Sequence, residues 1–208
     1  MRRVGIVSGG EYSKLTDIES CNFIIACDSG YEHLLKENIN PDIIIGDLDS
    51  CKVPVPDDIK LIKLPTAKDD TDTMHAYRYA VKNNFDEIYL YCWDKGRLDH
   101  MISNIQCAIF GAHNHTTSYM YYDNDLLIVT DKDKIVLPKK DNYEFSVLAA
   151  DKCKSVSIKG AKYNLNNIDF DLILEILLLY FLNHICDLSL QFYFRIMMSL
   201  NISWMDDI

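Results

Sequence analysis

Four short acidic segments hold the residues with which this sequence could do chemistry. Asp28 opens Asp28-Ser29-Gly30, and Asp47 and Asp49 stand in Gly46-Asp47-Leu48-Asp49-Ser50. Asp69, Asp70 and Asp72 fall in Lys68-Asp69-Asp70-Thr71-Asp72, and Asp99 in Gly96-Arg97-Leu98-Asp99-His100. Carboxylates gathered in one place repel one another unless a cation neutralises them. Hard oxygen ligands favour Mg²⁺, which takes one or two carboxylates together with waters and substrate phosphates. Lys68 and Arg97 then stand where phosphate oxygens need positive partners. The set reads as a magnesium–nucleotide site. Plainer readings stand beside it. Asp28-Ser29-Gly30 also suits a turn or helix N-cap, and Asp70 or Thr71 suits the cap of the helix that follows. Arg97 and Asp99 also suit a local ion pair, and His100 an ordinary helix-face histidine. The Asp47/Asp49 pair has the weakest structural excuse, because close like charges cost stability.

Each acidic segment must be carried by an element that ends beside the others. Short apolar runs predict strands at Val4–Ser8, Phe23–Cys27, Ile43–Gly46, Lys60–Leu64 and Glu87–Tyr91. They alternate with helical stretches at Ser29–Asn38, Asp70–Asn83 and Leu98–His113. Such alternation predicts an α/β domain, a mostly parallel sheet flanked by helices. Sheets of that kind bind ligands beyond the carboxyl ends of their strands, which is where the acidic segments fall. From about residue 118 the texture becomes all-β. Strand candidates at Tyr119–Tyr122, Leu126–Val129, Ile135–Leu137, Glu144–Ala149 and Ser155–Ile158 are separated by Asp-, Asn- and Lys-rich turns. The expected division is therefore 1–117 and 118–208. Residues 170–208 are atypical, with no Gly, Pro or Lys and many Leu, Ile, Phe and Met. Leu172–Leu182 reads equally as a buried helix or a two-sided strand, whereas Leu188–Phe194 and Met197–Trp204 look like strands.

Composition narrows the class of partner. Of 208 residues, 21 are Lys or Arg and 31 are Asp or Glu, giving a net charge of −10. So acidic a surface disfavours nucleic acid, yet a bound divalent cation would reverse the sign locally for a small polyphosphate. Seven cysteines, at Cys21, Cys27, Cys51, Cys92, Cys107, Cys153 and Cys186, form no CxxC pair and suggest neither disulfides nor zinc. No signal-peptide pattern opens the sequence, and its strongest apolar run is about half the roughly 20 residues of a membrane span. A cytoplasmic protein without membrane association is expected.

The four segments, in this order, resemble the thiamin pyrophosphokinase family. Its pattern is Asp-Gly-Gly, Gly-Asp-x-Asp-Ser, Lys-Asp-x-Thr-Asp and Gly-Gly-Arg-x-Asp-His. Asn104, further along the last helix, matches another family position, and Gly160-Ala161-Lys162-Tyr163-Asn164-Leu165 resembles the family's Gly-Leu-Lys-Tyr/Trp-x-Leu segment. Ser29 and Lys95 replace family glycines, and beyond residue 168 the similarity fades. The resemblance implies that the thiamin hydroxyl attacks the β-phosphorus of ATP, giving thiamin diphosphate and AMP. It assigns Asp47, Asp49 and Asp72 to Mg²⁺. Nucleotide contacts fall to Asp28, Ser29, Gly30, Lys68, Thr71, Arg97 and His100. Asp99 would orient the thiamin hydroxyl or accept its proton. The family's second domain is a β-sandwich, and its homodimer holds thiamin at the subunit interface, with Tyr163 and Asn183 the candidates here; Tyr163 also suits a core strand. Two alternatives remain. One is a catalytically silent thiamin- or nucleotide-binding protein, suggested by the unusual tail. The other is a Mg-dependent phosphohydrolase with Asp47 as nucleophile and Asp49 as acid/base, against which stand the motif's place on the third strand and Ser50-Cys51 where Gly-Thr is usual.

Overall fold

A computed structural model of the chain describes residues 1–66, 69–122, 125–137, 144–161, 164–170, 176–180, 186–190 and 196–201. The chain divides into two compact units, Met1–Asp123 and Asn124–Ile208.

The first unit is built on six strands: β1 (Arg3–Val7), β2 (Phe23–Cys27), β3 (Ile43–Gly46), β4 (Lys60–Lys63), β5 (Glu87–Tyr91) and β6 (Thr117–Tyr122). They lie side by side in the order β6-β5-β1-β2-β3-β4. All the pairings are parallel. A parallel strand covered on both faces should read as an unbroken apolar run, and the central strands do. Val4, Ile6, Ile25, Ala26, Ile43, Ile44 and Ile45 are all buried. The helices α1 (Gly30–Lys36), α2 (Asp72–Lys82) and α3 (Leu98–His113) connect and cover the strands. The hydroxyl of Tyr77 on α2, fully buried, donates to Ser118 Oγ on β6 at 3.2 Å. On β5, Tyr89 and Tyr91 alternate with Ile88 and Leu90. Tyr89 stacks on Tyr119 with ring centroids 4.9 Å apart, and Tyr91 on Tyr121 at 5.4 Å. Buried Glu87 accepts from Arg3 Nε at 2.9 Å and from the Tyr119 hydroxyl at 3.3 Å.

The unit boundary falls at Asp123/Asn124 rather than 117/118. The reason is that Thr117–Tyr122 extends the parallel sheet, with Leu90 opposite Met120. The chain lays β2, β3 and β4 to one side of β1 and then crosses to β5 on the other. That reversal leaves a crevice outside the carboxyl ends of β1, β2, β3 and β5.

Among the described residues the second unit holds eight strands: β7 (Asp125–Thr130), β8 (Lys134–Leu137), β9 (Glu144–Ala149), β10 (Cys153–Lys159), β11 (Leu165–Phe170), β12 (Ile176–Tyr180), β13 (Cys186–Leu190) and β14 (Ile196–Asn201). They form two sheets, β12-β9-β14-β7 and β11-β10-β13-β8. The pairings are antiparallel. Ile176–Tyr180 pairs with β9, so the described part of the ambiguous apolar run is strand, not helix. β11 has no counterpart among the expected elements, because Leu165-Asn166-Asn167-Ile168-Asp169-Phe170 lies at a sheet edge and is mostly exposed. Among the described residues, no helix is long and apolar enough to cross a membrane.

Close packing at the start of α1 makes one glycine obligatory. A Cβ at Gly30 would lie 2.1 Å from the carbonyl oxygen of Val7, a backbone atom fixed in β1. Gly30→Ala should therefore lower the unfolding free energy by about 3 kcal/mol, read as a shifted urea midpoint. At Gly5, where the nearest atoms are side chains at 3.4 Å, the same change should cost about 1 kcal/mol or less.

Candidate functional site

The acidic residues converge because three elements end at the crevice. At the end of β2 the backbone of Asp28 turns into the left-handed region (φ 47°), and its N–H donates to the Ile45 carbonyl at 3.1 Å. Gly46 on the next strand admits this approach, since a Cβ there would sit 3.1 Å from the Asp28 nitrogen. After β3, Leu48 is also left-handed (φ 64°), a conformation that costs a non-glycine residue of order 1 kcal/mol and recurs at functional turns. The turn lets the Asp49 N–H donate to Asp47 Oδ1 at 3.3 Å. Asp72 opens α2, whose N-cap Thr71 accepts from the Met74 N–H through Oγ1 at 3.2 Å.

These turns bring ligand atoms of Asp28, Asp47 and Asp72 within 4.8 Å of one another. The motif-based set of Asp47, Asp49 and Asp72 differs from this trio by one residue. Asp28 takes the place of Asp49, which is exposed in the same cleft wall and accepts from Ser50 Oγ at 3.0 Å. Asp28 is only 9% exposed, and its Oδ1 is buried without a hydrogen-bond partner. Burial pushes its carboxyl above the usual range, against the hydroxyl of Ser50 and the N–H of Ser29, and the charges of Asp72 and Asp49 push it further. A buried bare oxygen in a carboxylate trio is a donor set that fits a small hard cation.

The trio lines a cleft of about 880 Å³. Ser29, Thr71, Arg97, His100 and Asn104, singled out from the sequence, line it too. Several have structural work there. Thr71 caps α2, Ser29 Oγ donates to the Gly9 carbonyl at 3.2 Å, and buried Asn104 donates through Nδ2 to the Trp93 carbonyl at 3.2 Å. Arg97 makes the local ion pair, Nε to Asp99 Oδ1 at 3.1 Å and Nη2 to Oδ2 at 2.6 Å. Both partners are open to solvent, Arg97 at 73% side-chain exposure. The guanidinium holds the Asp99 carboxyl below the usual range. His100 is exposed, and its backbone N–H donates to Asp99 Oδ1 at 3.1 Å. Gly30 is spent on helix packing. Lys68, Tyr163 and Asn183 lie outside the described residues.

One wall of the cleft has no counterpart in the motif reading, the loop Ser8-Gly9-Gly10-Glu11 after β1. Its signal was available as a Gly-Gly pair directly following an apolar strand. Gly10 admits no side chain, because a Cβ there would lie 2.2 Å from the Cys92 carbonyl oxygen. Ser8 Oγ lies 3.2 Å from Thr73 Oγ1 and so ties this loop to the start of α2.

The fold is shared with solved structures. A thiamine pyrophosphokinase from Bacillus subtilis superposes with a TM-score of 0.81 at 19% identity, covering 98% of this chain and 100% of that one. One from Geobacillus thermodenitrificans gives 0.77 at 20% identity, covering 99% and 100%. A thiamin pyrophosphokinase from Candida albicans gives 0.74 at 15% identity, covering 97% and 89%. No curated protein matches the sequence significantly. The family described as "Thiamin pyrophosphokinase, catalytic domain" matches residues 16–120, which run from before β2 into β6 and include the whole carboxylate trio. The chain belongs to the thiamin pyrophosphokinase family.

Proposed function

We propose that this chain is an ATP-dependent diphosphotransferase that converts thiamin and ATP into thiamin diphosphate and AMP. The observation that carries the reading is the trio Asp28, Asp47 and Asp72 at the strand ends of a cleft large enough for a nucleotide. Mg²⁺, held by these carboxylates directly or through water, would neutralise the β- and γ-phosphates and the charge developing on the leaving AMP oxygen. The hydroxyl oxygen of thiamin forms a bond to the β-phosphorus and gives its proton to water, as the bond from that phosphorus to the α,β-bridging oxygen breaks and AMP leaves. Such a transfer depends on alignment and charge more than on covalent help.

The residues of this chain divide that work. Arg97 is exposed and can turn from Asp99 to phosphate oxygens, a charge-assisted contact, with Lys68 assigned the same task by its motif. Asp99, held below its usual range, is a weak proton acceptor, so orienting the hydroxyl is the better of its two assignments. Asp49 and Ser50 stand beside the trio to bind water or phosphate-bound metal. We read the two antiparallel sheets of the second unit as a sandwich that, in a homodimer, completes the thiamin pocket with Tyr163 and Asn183. The scattered thiols fit a reducing, cytoplasmic setting. The backbone pairing of β12, β13 and β14 supports an intact second unit over a silent binding protein with an incomplete tail.

Three outcomes are expected. With ATP, Mg²⁺ and thiamin, chromatography should show AMP and thiamin diphosphate in equal amounts, and no AMP without thiamin; ADP or free phosphate in their place would contradict the proposal. Asp47→Asn should lower kcat/KM about a hundredfold or more, since several kcal/mol of charge stabilisation are at stake. The third concerns Asp28. Its folded-state pKa lies above that of an unfolded aspartate, so stability present below the unfolded value is lost as pH rises through the folded one. Metal-free Asp28→Asn should therefore melt no lower than the parent, and up to about 4 °C higher. Its gain in melting temperature on adding Mg²⁺ should be smaller than the parent's.

A further inference from the structure

Helix α1 contributes nothing to the cleft lining past Ser29 and Asp28 before it, yet its side chains reach the loops on both sides. His33, 8% exposed, places Nε2 2.7 Å from the Gly10 carbonyl oxygen. A carbonyl only accepts, so Nε2 carries the proton and donates. Ser29, one turn earlier, donates to the carbonyl of Gly9. Tyr12 packs its ring against His33 with centroids 5.7 Å apart, donates its hydroxyl to Glu37, and lies under the Lys36 ammonium at 5.5 Å. The far end of the same loop is fastened just beyond β5, where Ser13 Oγ accepts from the Cys92 N–H at 3.2 Å. On the opposite side, Glu32 Oε1 accepts from the Lys52 N–H at 2.6 Å and so holds the segment that follows Asp49 and Ser50.

We propose that His33 is a positioning residue for nucleotide binding, fixing the Gly9–Gly10 loop at the phosphate end of the cleft. Two adjacent glycines carry the largest conformational freedom a loop can have, and a loop that must meet phosphates with its backbone has to lose that freedom beforehand. The backbone at the carboxyl end of a parallel strand is the kind of group that cradles phosphate oxygens. A packing role alone does not account for a histidine here. The Nδ1 atom of His33 is buried with no hydrogen-bond partner, a penalty that a leucine of similar bulk would avoid. What the leucine would lack is the donor to Gly10. The inference rests on the magnesium–nucleotide reading of this cleft.

The test compares His33→Leu, which removes the donor, with His33→Gln, whose side-chain amide can restore it. Binding of a magnesium-bound, non-hydrolysable ATP analogue is measured by calorimetry, beside steady-state kinetics and melting temperature. His33→Leu should weaken analogue binding about tenfold and raise the KM for ATP in step, with the KM for thiamin within about twofold of the parent. His33→Gln should stay within about threefold of the parent throughout. Unchanged analogue binding in His33→Leu overturns the proposal, as does equal loss in both variants, which would mark the histidine as packing only. If His33→Leu does not fold, Ser29→Ala tests the same loop from Gly9. A loss of about threefold is then expected, and no change overturns the proposal. A parent that binds the analogue but makes no thiamin-dependent AMP would sink the proposed reaction while leaving the His33 comparison readable.

Discussion

Mutual repulsion among Asp28, Asp47 and Asp72 is the constraint around which the first unit is arranged. At Asp28 burial and the neighbouring charges of Asp72 and Asp49 act together to push the carboxyl above its usual range. The arrangement persists because the carboxylates are fixed to backbone that has other reasons to be where it is. Asp28 and Asp47 terminate buried strands, and Asp72 begins a capped helix. Under the proposed function, a cation entering the trio would relieve that repulsion and so stabilise the fold.

Positive-φ turns let strands that run straight through the core end on converging side chains. Asp28, Leu48 and Cys92, each just beyond a parallel strand, are all left-handed without being glycine. Glycine occurs where backbone meets backbone instead. Gly10 lies against Cys92, Gly30 against Val7 and Gly46 against Asp28. The cleft is therefore bounded by main chain in fixed contact, and the variable part of its chemistry rests on a few side chains. Arg97 and Asp99 form the exception, an exposed ion pair at the start of α3 that, under the proposed function, would exchange partners for phosphate oxygens.

The first unit was legible in the sequence because its central strands are short, largely apolar and bounded by acidic turns. Phe23–Cys27, Ile43–Gly46, Glu87–Tyr91 and Leu98–His113 match the expected bounds residue for residue. Legibility failed where composition carries no period. Ile176–Tyr180 sits in a run of Leu and Ile that suits a buried helix as well as a strand, and only its pairing with β9 decides. β11 is polar and edge-exposed, so it reads as a loop. In the site, order along the chain identified the acidic segments but not which oxygens meet. Asp49 is the obvious partner of Asp47 in sequence, yet the turn at Leu48 leaves it exposed while Asp28 arrives from the neighbouring strand. The Gly9–Gly10 wall carries no charge, and its one mark in the sequence is the glycine pair after an apolar strand.

The most direct test of the account is the anomalous diffraction of Mn²⁺ soaked into crystals of the protein with an ATP analogue. One strong peak is expected, bounded by the carboxylates of Asp28, Asp47 and Asp72 and absent in Asp47→Asn. A metal held elsewhere, with the oxygen of Asp28 still bare, or a nucleotide bound in the cleft with no metal against the trio, would contradict it.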